Sequence, residues 1–268
     1  MTDQRPVDAE HYTKDYFLGN CGGSEFFKLY GPRVLKPTMA YSFARAEIKS
    51  GMRVLDVGCG RGEILYHVKK AGAEGIGTDY AEPAIQIAAE ISGCQVLLAD
   101  AKKLPFPDRS FDRIFFLGVI DHLHDWELEA CFSEFKRLLK PDGFVLIHTC
   151  TNKHYYKNWS FGARRSLARI FGLREPSRPR SDEDEALHVN EHTFGSLRDF
   201  FRKIGWSAEV EPRMNYKLVL RELYGELPAD FPMKPSQGVG AALYRALLWR
   251  GPLKRILARE FFCLAKPT

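Results

Sequence analysis

From Met52 onward, short apolar runs rich in β-branched residues alternate with longer segments of helical spacing. MRVLDVG, residues 52–58, reads as a buried parallel strand. EILYHVKKAG predicts the helix behind it, ending at Gly72. EGIGTD, residues 74–79, is a second strand and EPAIQIAAEIS, residues 82–92, a second helix. Pro83 sits in the first turn of that helix, where a missing N–H costs little. CQVLLAD (94–100) and FDRIFFLGV (111–119) are the third and fourth strands, with a turn at FPDRS between them. WELEACFSEFKRLLK predicts a helix over 126–140, Pro141-Asp142-Gly143 a turn, and FVLIHTC (144–150) a fifth strand. This alternation predicts βαβ units and a parallel sheet.

Both flanks differ. Residues 1–50 are rich in rings and glycines, with a short helix over TMAYSFARAEIK (38–49), and read as an N-terminal helical cover. After Thr151 the alternation stops. A basic stretch fills 153–180, and an acidic run from Asp182 to Glu185 follows. Thr193 can cap a helix through FGSLRDFFRKIG, which stops at Gly205. SAEVEPRM (207–214) is a sixth strand, residues 239–258 a second basic helix, and EFFCLAK (260–266) a seventh strand.

Composition narrows the class. At 268 residues, 45% hydrophobic and 27% charged, the chain is neither disordered, collagenous nor a coiled coil. A formal net charge of +5 is too mild to mark a nucleic-acid binder by itself. No two of Cys21, Cys59, Cys94, Cys131, Cys150 and Cys263 form a CxxC pair, which suggests neither a zinc ribbon nor a disulfide framework. Scattered thiols fit a reducing cytoplasm, the expected location. MTDQRPVDAEHY has no apolar run, so no signal peptide is expected. No stretch approaches the roughly 18 consecutive apolar residues of a membrane span.

The chemistry centres on Asp56-Val57-Gly58-Cys59-Gly60-Arg61-Gly62, which joins the first strand to its helix. Glycines there let the chain turn sharply and let a ligand approach the main chain. The helix N-terminus offers free N–H groups. Alone the loop is weak, because nicotinamide-cofactor enzymes use one too. Their G-x-G-x-x-G fingerprint, however, would need a glycine where Glu63 stands. Asp56, just before the loop, disfavours a phosphate and suits a cationic ligand. Asp79, ending the second strand, can accept both hydroxyls of a ribose. Asp100, ending the third, can read an adenine amino group. Three acids at successive strand ends suit a positively charged nucleoside without phosphate. S-adenosylmethionine (SAM), with a sulfonium and an amino group, is such a molecule. Open α/β sheets bind ligands at these carboxyl ends.

VLDVGCGRGEIL, GTDYAEPAI, LADAKKLPFPDRSFDRIFFLGVIDHL and LLKPDGFVLI together resemble the ordered motifs of class I SAM-dependent methyltransferases, of the small-molecule, UbiE/UbiG-like kind. The resemblance implies a Rossmann-like, seven-stranded, mostly parallel sheet with helices on both faces, closed by a reversed hairpin. The runs at 206–213 and 260–266 would supply that hairpin, with a helical insertion between them. Residues 1–50 would be a lid, 51–151 the SAM-binding core, and 152–268 substrate-side helices and strands completing the same domain. By the same resemblance Gly58, Cys59, Gly60 and Gly62 form the loop against the methionine part, and Asp56 helps hold the amino group. Asp79 is the ribose acid with Tyr80 beside the adenine, Asp100 and Ala101 flank the adenine edge, and Leu117 and Gly118 lie under the methionine. Tyr12, Tyr16 and Phe17 are the expected lid contacts. The cofactor would be SAM and its product S-adenosyl-L-homocysteine (SAH).

An aliphatic hydroxyl acceptor also needs a general base, usually histidine. His122, just past the fourth strand, and His192 are the candidates. Asn190 and Glu191 are further substrate-facing candidates, while His148, inside a strand, reads as a buried hydrogen-bonded residue. His188 and His192 have helical metal spacing but no third ligand in sequence, so no metal is expected. Leu117-Gly118-Val119-Ile120 stands where an amide or adenine N-methyltransferase would carry Asn-Pro-Pro-Tyr. The expected partner is a small-molecule or lipid-linked acceptor, with no specific nucleic acid. The basic stretches at 153–180 and 239–259 interleave arginine with apolar residues, and peripheral membrane contact is one reading of them. The alternatives left open are an N- or C-methyltransferase, an NAD-dependent oxidoreductase and a membrane-associated SAM binder without catalysis.

Overall fold

Along β1 (Arg53–Val57), Val54 packs on one side of the sheet and Leu55 and Val57 on the other. The same two-residue period runs through β4 (Phe111–Leu117), where Phe115 faces opposite to Ile114 and Phe116. A strand apolar on both faces must be covered twice, which is the physical reason for helices on either side. The computed structural model describes residues 4–150, 152–155, 160–174, 187–213 and 253–268.

With β2 (Glu74–Asp79), β3 (Gln95–Leu98), β5 (Leu139–Cys150), β6 (Trp206–Arg213) and β7 (Glu260–Pro267), the sheet has the order β3-β2-β1-β4-β5-β7-β6. The first five strands are parallel, and β7 runs antiparallel to both β5 and β6. The order reverses between β1 and β4, which opens a crevice at their carboxyl ends. This is the Rossmann-like, seven-stranded, mostly parallel sheet expected from the sequence.

The helices divide into two layers. On one side, α5 (Asp125–Leu138) packs Leu128, Cys131, Phe132 and Phe135 against the sheet. Later in the chain, Leu197, Phe200 and Phe201 of Phe194–Lys203 join the same core. Thr193 caps that helix as expected, its Oγ1 accepting the Ser196 N–H at 3.0 Å. On the other side lie α1 (Ser24–Tyr30), α2 (Pro37–Ala46) and α3 (Glu63–Lys70). α2 is tied to edge strand β6: Arg45 reaches Glu211 at 2.8 Å and Glu209 at 2.9 Å.

The N-terminal fifty residues therefore do two things. Residues 24–46 form part of the sheet's helical layer. Residues 7–21 lie elsewhere, packing Tyr12 and Phe17 on Ala81, which caps α4 (Glu82–Ser92), and on Ala84 and Ile87 within that helix.

Most boundaries shift by a few residues, as for the helix expected over 38–49, which runs Pro37–Ala46; two differences matter more. The predicted turn at Pro141-Asp142-Gly143 lies inside β5. Leu139 pairs with Phe111 and Phe144 with Arg113, so the extra residues are absorbed by a register shift of the bulge kind. β3 ends at Leu98, two residues before Asp100. The basic stretches are described in part: Phe161–Ile170 is helical (α6) and Lys254–Leu257 forms the short α8, while the Thr193-capped helix Phe194–Lys203 between them is α7. Residues 156–159, 175–180 and 239–252 of these stretches lie outside the described residues. No helix among those described is long and apolar enough to cross a membrane.

Candidate active site

The glycine loop leaves β1 at the crevice. Gly58, Gly60 and Gly62 all have positive φ, at 71°, 52° and 79°. A Cβ at Gly58 would run into Val119, and one at Gly62 would stand 2.9 Å from the Ala88 Cα. Cys59 is buried between them, and burial together with Asp79 and Asp56 pushes its thiol well up. It packs with Leu65 and Ala88, as a small apolar group.

Three acids converge here, with unequal surroundings. Asp79 is 6% exposed, its Oδ2 accepting the Gly60 N–H at 3.0 Å and its Oδ1 the Ala81 N–H at 3.1 Å. It thus fixes the loop's shape. Asp56 is 4% exposed, and burial, Glu63 and Asp79 all raise its pKa. Among the described residues nothing donates a hydrogen bond to its carboxylate. Asp100 is different: it stands half exposed past the strand, and Lys102 reaches its Oδ2 at 3.1 Å. Lys102 also holds the buried Glu127, at 2.9 Å.

SAM fits this donor set. Its ammonium and sulfonium supply the positive charge that the Asp56–Asp79 corner lacks, and a buried carboxylate without a cation is costly. Gly58 and Gly62 make room for Val119 and Ala88, whereas a Cβ at Gly60 would meet only the Phe17 ring, at 3.8 Å, so it is at Gly60, beneath the cover, that a ligand could approach the main chain. At the end of β4, Leu117 is part-buried, and Gly118 (φ 73°) has open space at its Cβ position. Ala101 packs, part-buried, on the α5 side.

The loop's cover is held by a residue that sequence reasoning passed over. Arg61 is 2% exposed and pairs with Glu63 at 2.8 Å. Its Nη1 donates to the Phe17 carbonyl at 2.7 Å and its Nη2 to the Gly22 carbonyl at 3.3 Å. A charged side chain inside an otherwise small-residue loop, two positions before an acid, is the signal that could have marked it. Tyr12 completes the cover, with Tyr16 and Tyr80 against it at ring distances of 5.1 and 5.3 Å.

Beyond the cover, three chain segments meet around His122. The Tyr12 hydroxyl lies 2.8 Å from Nδ1 of His122, which closes a single helical turn, Ile120–His122. Burial pushes the Tyr12 phenol up to about 12, so it keeps its proton at neutral pH. His188 packs its ring 4.8 Å from His122. His192 lies elsewhere, 4% exposed with its ring 6.4 Å from Phe200, and burial lowers its pKa. Asn190 stitches its segment down, donating to the Leu123 carbonyl at 3.1 Å and to Asp125 at 2.8 Å. His148 is buried and bonded to Glu260 at 3.2 Å.

Asp121, Cys150 and His188 bring potential metal-ligand atoms within 4.8 Å of one another. Both Asp121 oxygens already accept hydrogen bonds, from Thr149 and from the Cys150 N–H. Burial raises the Cys150 thiol well above its usual range, so a metal there would first have to displace its proton.

A sheet with a reversed last strand, a glycine loop after β1 and buried acids on β1 and β2 defines the class I nucleoside-cofactor methyltransferase architecture. Comparison with known proteins agrees. A family model described as a methyltransferase domain matches residues 54–143. An uncharacterized protein of Methanocaldococcus jannaschii is 30% identical over 68% of this chain and 71% of its own. A probable tRNA methyltransferase 9B of Bos taurus is 34% identical over 41% of this chain, and the match spans only 25% of that relative's length. The structure of Haemonchus contortus phosphoethanolamine N-methyltransferase 2, bound to phosphomonomethylethanolamine and SAH, aligns with a TM-score of 0.61 at 22% identity. That alignment covers 98% of this chain and 61% of the other. The chain belongs to the class I SAM-dependent methyltransferases. The exclusion of nucleic acid expected from the sequence finds no support here, since one relative is named for tRNA.

Proposed function

We propose that this protein transfers the methyl group of SAM to a hydroxyl oxygen of a small-molecule acceptor. The bound cofactor supplies an activated methyl on a sulfonium. The chain's own task is then to position the acceptor, exclude water and take up one proton. Asp56 and the Gly58–Gly62 loop would face the methionine part, Asp79 and Tyr80 the ribose and adenine, and Asp100 with Ala101 the adenine edge. Asp100 is the weakest of these, because Lys102 already neutralises it.

The observation that carries the hydroxyl reading is the Tyr12–His122 hydrogen bond. It holds an imidazole just past β4 in a fixed orientation beneath the N-terminal cover. As base, His122 would start with its proton on Nδ1, donated to the Tyr12 oxygen, and take the acceptor's proton on Nε2. His192, buried against Phe200, is poorly placed for that work, and His188 is the histidine that accompanies His122.

Incubation with methyl-labelled SAM and a panel of hydroxylated, aminated and RNA acceptors tests the reading. Label on an oxygen-linked methyl supports it; label only on nitrogen or carbon overturns the hydroxyl assignment. A tRNA acceptor is the second reading, favoured by the Bos taurus relative's name. Transfer to RNA alone would establish it.

A further inference from the structure

We infer that α6 and the turn behind it form a face that lies on an anionic lipid surface. Apolar side chains on a surface helix normally turn inward, because burial in an apolar medium is favourable. Here Ala168 is buried, yet Leu167, Ile170, Phe171 and Leu173 are exposed by 53%, 74%, 68% and 65%. Ile170, Phe171 and Leu173 are the three most exposed large apolar side chains among the described residues. Leu167, Ile170 and Phe171 stand at i, i+3 and i+4, so they share one stripe. Singly exposed leucines need no explanation, but a continuous stripe does.

The charge of the segment selects the occupant. Residues 160–174 carry Arg164, Arg165, Arg169 and Arg174 and no acidic residue. Of these Arg165, Arg169 and Arg174 are exposed. A basic helix that presents a leucine and phenylalanine stripe matches the interface of a negatively charged bilayer, where rings and aliphatics enter the acyl boundary and guanidinium groups meet headgroups. A protein groove would need an acidic rim as well as an apolar floor to match both, and nucleic acid would match the arginines but not the stripe.

The position of the face gives it a use. β5 ends at Cys150 at the carboxyl edge of the sheet, the same edge as the glycine loop, and α6 is the next helix in the sequence, beginning at Phe161. Lys153, on that connection, donates its N–H to the His192 carbonyl at 3.2 Å, so the chain passes beside the acceptor segment. If the chain rests on a bilayer through this face, the acceptor class becomes a hydroxyl on a lipid-linked molecule. That last step rests on the hydroxyl-methylating reading above; the lipid-binding face itself does not.

The test is co-sedimentation of the full chain with vesicles of phosphatidylcholine alone and with about 30% phosphatidylglycerol, at low and high salt, with a tRNA competitor arm. Binding to the anionic vesicles, weakened by salt, is expected. Ile170→Glu/Phe171→Glu should reduce it about tenfold or more, while calorimetry with SAH gives an unchanged affinity. The exposure of both residues makes loss of fold unexpected, and the SAH titration checks it. No binding to anionic vesicles at low salt overturns the inference. Binding that the double variant does not weaken also overturns it, as does binding to tRNA in preference to vesicles. Vesicle binding without any SAH binding would leave the face standing and defeat the enzymatic reading instead.

Discussion

The Arg61 guanidinium donates to the Phe17 main-chain carbonyl at 2.7 Å, so a residue of the glycine loop holds the segment that covers it. Cover and loop are one mechanical unit. Removing the guanidinium alone would leave Glu63 buried without its cation, a loss of about 3–5 kcal/mol. The paired variant Arg61→Met/Glu63→Gln avoids that charge and isolates the clasp. We expect it to fold, to be cut faster by trypsin at the exposed Lys14, and to bind SAH about tenfold more weakly, or 1.4 kcal/mol. Cleavage at the wild-type rate would refute the clasp.

Asp79 ties Gly60 and Ala81 together through its two oxygens. Asp79→Ala leaves both N–H groups without their acceptor and removes the proposed ribose contact. A loss of SAH affinity of about 2–3 kcal/mol is expected, with the thermal transition still cooperative. An affinity unchanged by calorimetry would remove Asp79 from the cofactor site.

His122→Ala should lower kcat by about 10²–10⁴-fold, with SAH affinity within about twofold. Tyr12→Phe removes the oxygen that would accept from the Nδ1–H of the charged imidazole. The charged form then loses a partner, so the acid limb of the kcat–pH profile should move to lower pH. Movement to higher pH would mean that the phenol donates to a neutral ring, and His122 would orient the acceptor rather than deprotonate it.

Gly62→Ala combines a positive φ with a Cβ 2.9 Å from the Ala88 backbone. Neither α3 nor α4 can yield cheaply, because the contact is to main chain. A destabilisation of about 1–3 kcal/mol is expected from chemical denaturation. Gly118→Ala, with open space at its Cβ, should cost only the strain of its φ, and less than Gly62→Ala.

Asp121 is fully buried, and burial pushes its carboxyl up to about 8. Between pH 4 and 8 the folded protein therefore keeps a proton that the unfolded chain releases. Stability from this group falls as pH rises through that window, by at most about 1.4 kcal/mol per pH unit. Asp121→Asn has no such proton, so its stability should fall less between pH 4 and 8, as denaturation midpoints across that range would reveal.

Local punctuation made much of the fold legible. α4 runs from Glu82 to Ser92 as read, because Pro83 opens it and Gly93, with φ 59°, closes it. β2 also matches, since its apolar run is bounded on both sides. The turn at Pro141 was legible as a turn but not as a bulge, because its strand assignment depends on pairing with Phe111. The loop and its acids were readable because they sit at strand ends. What could not be read was contact across the chain: Tyr12 reaches a residue 110 positions away, and Arg61 one 44 positions away. Nor does residue type tell which of two histidines in HVNEH turns toward His122; the hydrogen bonds of Asn190 accompany that choice.

The clasp grips carbonyl oxygens, at Phe17 and Gly22, rather than side chains. Every amino acid carries that oxygen. The anchor on the glycine loop therefore does not depend on which side chains stand at those two positions of the cover. On the proposed reading, the positions of the cover other than Tyr12, whose hydroxyl meets His122, are free to drift toward new acceptors while the clasp on the glycine loop holds.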